Sequence, residues 1–339
     1  MNKESSNRIK DIPPFCVGMR GENFHFDGVC ERVLERLGET QCNYWLIAGI
    51  TGDAYTQVYP KNHVFYSNRY CVSDYHLLYD ADCMPYFQQV FDDLGYEMTY
   101  VSKEELLADK ETYQQKLIAY IDKGIPVIVF KGDFHLIVGY EEDGNILLCQ
   151  LHEEQPIFRE RLDDTYLKNE SMKCWIFVGD KKEQIDLDKM YRKAVGQMAE
   201  IMTAETETYV FGAGAFRKWA KDIETGYYVD KTPDTVDLWA THQSFVACFE
   251  TIAARCHVFL SKALELNPDL TFIAEIIPIF RRQGAYDIGG LENLGGGFNV
   301  TLETLQDKEK RTAIANRLGS FAENMDRIVG ILKENVDKI

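Results

Sequence analysis

At 339 residues the chain is longer than one hydrophobic core usually serves, which predicts two domains. An apolar fraction of 45% and a charged fraction of 27% are those of ordinary globular proteins and argue against disorder. The formal charge of −17, with basic residues scattered among more numerous acids, argues against nucleic acid and against an anionic membrane surface as partners.

The opening Met1-Asn2-Lys3-Glu4-Ser5-Ser6 is polar and has no apolar run behind it, so no signal peptide is predicted. Apolar residues at 29, 33, 34 and 37 predict a helix over 27–37, with Asp27 as N-cap and Gly38 as its stop. The segment 43–55, with Trp45, Gly49 and Tyr55, reads as a helix-to-loop transition beside a cleft. Its residues suit a substrate wall and core packing equally. Further helices are predicted over Met84–Leu94, closed by Gly95, and over 110–123, closed by Gly124.

After Gly124 the period becomes extended. Strands are predicted at 126–130, 135–140, 145–149 and 174–178, with Asp143-Gly144 as a hairpin turn. From about residue 184 strands are expected to stop, and helical patterns fill 188–204, 209–224, 233–266, 269–283 and 303–337. The glycine-rich stretch from Gly289 to Gly297 reads as a flexible loop. The division therefore predicts an α+β domain over 1–182 and an all-α helical bundle over 183–339. No run of about 18 to 20 uninterrupted apolar residues offers a membrane span. The nine cysteines lack paired spacing, which fits reduced thiols in a cytoplasmic protein better than a disulfide framework.

The most specific pattern is Lys123-Gly124-Ile125-Pro126-Val127 followed by His135-Leu136-Ile137-Val138-Gly139-Tyr140. It resembles the papain-fold, C39-like cysteine peptidases, and more nearly the bacterial butirosin-biosynthesis acyltransferase-like N-terminal domain. The segment Phe211-Gly212-Ala213-Gly214-Ala215-Phe216 resembles the helical domain that often follows it. The resemblance covers most of the chain, but only the His135 segment is close to a signature. It implies a papain-like fold and acyl transfer through a cysteine near the start of the first long helix. There the helix N-terminus stabilises the thiolate and an imidazole takes its proton.

By that resemblance Cys30 would be the nucleophile, His135 the base and then acid, and Asn23 an oxyanion donor. Gln150 or Glu153 would orient the imidazole. Counting back from Gly38, however, the family cysteine falls near His25. Cys30 also shares a helix face with Leu34 and Leu37, which suits a buried structural thiol, and His135 suits a strand histidine satisfied in a core.

This chemistry needs no metal or organic cofactor. Its substrate would be a small amide, a peptide or a carrier-bound acyl group. A homo-oligomer is compatible with the sequence, which carries no signal for or against one. The rival reading is an inactive relative that binds a small molecule or peptide. A third puts the function in the helical half. Cys71, His76 and Cys83 lack a second clustered pair for zinc, and His152-Glu153-Glu154 lacks the second histidine of a zinc-protease helix.

Overall fold

The aliphatic runs after Gly124 form the centre of an antiparallel sheet in the computed structural model, which describes residues 5–14, 22–63, 65, 84–151, 157–281 and 290–339. Two compact units result: Met1–Ile47 with Met84–Ile185, and Ala48–Cys83 with Asp186–Ile339. The predicted break after 182 lies three residues early, and 48–83, expected in the first domain, belong to the second unit. The reason is long-range pairing: Val58–Pro60 (β2) forms a ribbon with Tyr209–Phe211 (β9), and Tyr55 packs on Phe259.

In the first unit the strands are β1 (Asn7–Arg8), β3 (Tyr96–Ser102), β4 (Val127–Lys131), β5 (Asp133–Glu141), β6 (Ile146–Gln150), β7 (Phe158–Arg161) and β8 (Met172–Lys181). They run in the order β3-β8-β4-β5-β6-β7, with β1 paired to β5. Gly132 (φ +73°) alone separates β4 from β5, so Lys131 faces Asp133 across a very tight hairpin. At the next turn Glu142 and Asp143 both adopt positive φ before Gly144, and Asp143 accepts hydrogen bonds from the Ser5 amide and hydroxyl.

The register sorts side chains onto two faces, because cross-strand partners share a face and neighbours alternate. One face carries Phe130, Phe134, Leu136 and Ile176 and is covered by α1 (His25–Arg36) and α3 (Met84–Asp93): Phe26 lies 5.0 Å from Phe134, and Phe87 5.7 Å. The other carries Val129, His135, Trp175 and Phe177. It is covered by α5 (Lys110–Asp122) through Tyr120 on Phe177, and by α6 (Asp164–Lys168) through Tyr166 bonded to Trp175. Between β3 and α5 lies α4 (Lys103–Ala108), begun by a Ser102–Glu105 capping box.

Helix α1 begins two residues before the predicted start. Its N-cap is Phe24, whose amide donates to the Tyr44 hydroxyl at 2.9 Å, while Asp27 lies buried in the first turn. Docking Phe26 on the sheet sets that start, which Asp27's capping propensity does not override. Tyr44–Thr51 form α2, the predicted helix.

The second unit is helical around the β2–β9 ribbon, so strands do not stop at 184. It contains α7 (Leu187–Ile201), α8 (Gly212–Glu224), α9 (Ser244–Leu266), α10 (Ile273–Arg281), α11 (Leu302–Gln306) and α12 (Lys308–Glu334). A π-turn over Trp239–Gln243 leads into α9. The helix predicted over 303–337 is two, because Asp307 ends α11 and caps α12 by accepting from the Glu309 and Lys310 amides. Phe321 of α12 lies 5.7 Å from Phe216 of α8 and 4.5 Å from Phe249 of α9. The stretch Trp239–Leu266 is long and apolar enough to cross a membrane by length and composition alone, yet much of it is buried in the unit's core. The predicted 289–297 loop is described from Gly290, where Glu292–Leu294 form a short 3₁₀ turn.

Candidate active site

Cys30 is the sixth residue of α1, a full turn and a half past its N-terminus, and is completely buried. It stands four residues after Phe26 and three before Val33, on the stripe that packs onto the Phe134 face of the sheet. Burial, and secondarily the charge of Asp27, push its thiol pKa well above the ordinary cysteine value. The helix N-terminus that would stabilise a thiolate is occupied by His25 instead.

His135 lies on the opposite face. Its neighbours there are Phe158, with ring centroids 5.6 Å apart, and the Lys131–Glu160 ion pair. Burial lowers its pKa to about 4, against smaller opposing contributions from Glu160 and from the Asp133 carbonyl. Nδ1 lies 3.3 Å from that carbonyl, so the neutral ring carries its proton on Nδ1. Nε2 is then a bare lone pair, buried without a hydrogen-bond partner among the described residues.

The sheet therefore separates Cys30 from His135. Gln150 is also parted from the imidazole: it pairs with Leu136, points to the Phe134 face and donates to the Ile12 carbonyl at 3.0 Å. Asn23 stands two residues before α1, half-buried. Glu153 lies outside the described residues, as do Cys71, His76, Cys83 and the 152–154 run.

What the fold does bring together is a pair the sequence reading did not assign. His25, at the first position of α1, places Nδ1 2.6 Å from Oδ2 of Asp133, at the β4–β5 hairpin tip. Both side chains keep partial access to solvent, 18% and 26%. The Asp133 carbonyl meets His135, so this one residue joins the two histidines. A signal for His25 existed, since the resemblance put the functional position at the first turn of this helix. Asp133 had none beyond its place two residues before His135.

Among the described residues no group of three or more His, Cys, Asp or Glu side chains could hold a metal ion. Cys30, Cys42, Cys149 and Cys256 are free thiols. No family model matches the sequence, and no curated protein matches it.

Proposed function

We propose that the chain is a binding protein for a small molecule or peptide, built on an α+β scaffold that does not use Cys30 as a nucleophile. The observation that carries this reading is the separation of Cys30 and His135 onto opposite faces of the sheet, with the thiol wholly buried and its pKa raised. A base cannot take a proton from a thiol across a layer of packed strand residues, because proton transfer needs hydrogen-bond reach. His25 and Asp133 offer the better ligand contact. Both side chains keep partial access to solvent, and they stand where a helix N-terminus favours electronegative groups.

The cysteine-dependent acyl-transfer reading makes the opposite prediction about the thiol, and brief iodoacetamide treatment between pH 5 and 9 separates the two. Read cysteine by cysteine in a mass spectrometer, Cys30 should label no faster than the buried Cys174 and Cys256 until the protein is unfolded. Rapid labelling of Cys30 alone near neutral pH would overturn the proposal and restore a catalytic thiol. The ligand side is tested by a thermal-shift screen of amides and short peptides. An Asp133→Asn protein should lose the shift that the parent shows.

A further inference from the structure

In the second unit, His63 adopts φ +53°, the left-handed region that non-glycine residues seldom occupy and that recurs at functional positions. That conformation brings its ring parallel to Tyr227, with centroids 4.7 Å apart and planes at 8°. It also sets Nδ1 3.3 Å from Oδ2 of Asp222. Asp222 is a buried carboxylate on α8, its side chain 6% exposed, whereas the His63 side chain is 40% exposed. Lys218, one turn earlier, pairs with Oδ1. Oδ2 is buried and makes no hydrogen bond among the described residues, so the Nδ1 proton of His63, at ion-pair distance, is its nearest complement.

A buried carboxylate held by Lys218 and presented to one imidazole nitrogen sets both ring orientation and tautomer. The proton sits on Nδ1, and Nε2 is a lone pair with no partner among the described residues. Beside it stand the rings of Phe65, 6.1 Å from His63, and Tyr227. Lys231 holds its ammonium 5.1 Å from the Tyr227 ring centre, with the exposed Asp230 at 3.8 Å as its only described carboxylate neighbour. The His63 imidazole and the Lys231 ammonium thus both lie against the Tyr227 ring, with Phe65 beside the imidazole.

We propose that this is a second site, independent of the reading of the first unit: a general-base site that hydrolyses esters carrying a planar or apolar group. His63 is the catalytic residue and Asp222 its positioning residue. Nε2 takes a proton from water as the water oxygen bonds to the ester carbonyl carbon. Negative charge gathers on the carbonyl oxygen as the tetrahedral adduct forms. The adduct then collapses by breaking the bond to the alkoxy oxygen, which takes the proton back from Nε2. Water and ester become acid and alcohol, with no other reactant.

The test is hydrolysis of p-nitrophenyl hexanoate by the full chain, with His63→Asn and Asp222→Asn variants. Asparagine tolerates the left-handed conformation, so His63→Asn should fold normally. It should lower kcat/KM roughly 100-fold, the low end of what a general base contributes. Asp222→Asn should lower kcat at least tenfold with KM within twofold, a split that loss of folded protein alone would accompany with a lower melting temperature. A His63→Asn protein within twofold of the parent would overturn the proposal. So would parent turnover no faster than that of an equal concentration of free imidazole.

Discussion

His135 and His242 are both buried imidazoles whose pKa values burial drives down to about 4, yet they differ in how their nitrogens are satisfied. His242 Nε2 donates to the Gly296 carbonyl at 2.7 Å, and its Nδ1 accepts from the Trp219 indole at 3.3 Å. One neutral tautomer fulfils both bonds. His135 fulfils one, and its Nε2 has no partner among the described residues. Leaving buried partners unpaired costs about 1–3 kcal/mol for each group, whereas removing an already orphaned atom costs little. His242→Leu should therefore lower unfolding stability by about 2 kcal/mol or more at pH 7, since it strands the Trp219 N–H and the Gly296 carbonyl. His135→Leu should stay within about 1 kcal/mol of the parent. Urea midpoints measured at unchanged slope would check the pair. Equal losses would mean that His135 has a bond partner its surroundings do not reveal.

At the scale of elements, the join between β9 and α8 rests on one glycine. Gly212 adopts φ +53°, its amide donates to the Gln57 carbonyl at 2.7 Å, and a Cβ there would lie 2.1 Å from the Met202 carbonyl oxygen. Both the conformation and the space exclude a side chain. Gly212→Ala should destabilise the second unit by about 2 kcal/mol or more, visible as a lower denaturation midpoint. A neutral result would mean that the ribbon can shift away from α7.

The same join shows what could be read in advance. The helix over 212–224 and the β4–β5–β6 meander were legible because apolar period and turn residues agree locally. Strand β9 was not, because Tyr209-Val210-Phe211 is too short for a period, and its partner β2 lies about 150 residues away in sequence. Strand β7 was hidden for another reason: Phe158-Arg159-Glu160-Arg161 is mostly charged and forms only as the sheet's last strand. Cys30 and His135 could be named as candidates from the sequence. The face each occupies was not, because register alone decides it, and a one-residue difference moves a side chain through the sheet.

For the molecule as a whole, the buried titratable groups give the two units different responses to acid. In the first unit His135 has a folded-state pKa of about 4 against an ordinary value of 6.5, so its neutral form is favoured on folding. Stability from this source is fully present above pH 6.5 and is lost as the pH falls toward 4, by about 3 kcal/mol in all. The second unit holds His242, which behaves in the same way, and Glu250, which does the reverse. Burial first, then the charge of Glu292 and a hydrogen bond to it, push Glu250 up to about 7. Its contribution is therefore present below pH 4.5 and lost as the pH rises through 7. Between pH 6.5 and 4.5 the Glu250 gain on acidification offsets the His242 loss, while no described carboxyl of the first unit offsets His135. Hydrogen exchange read by mass spectrometry should show protection falling across this window in peptides from β4, β5 and β8. Protection in α8 and α9 should stay nearly level. Glu250→Gln removes the opposing carboxyl, so α8 and α9 should then lose protection on acidification as the first unit does. If the variant leaves the profile of α9 flat, Glu250 does not hold its proton against Glu292, and the balance in the second unit has another source.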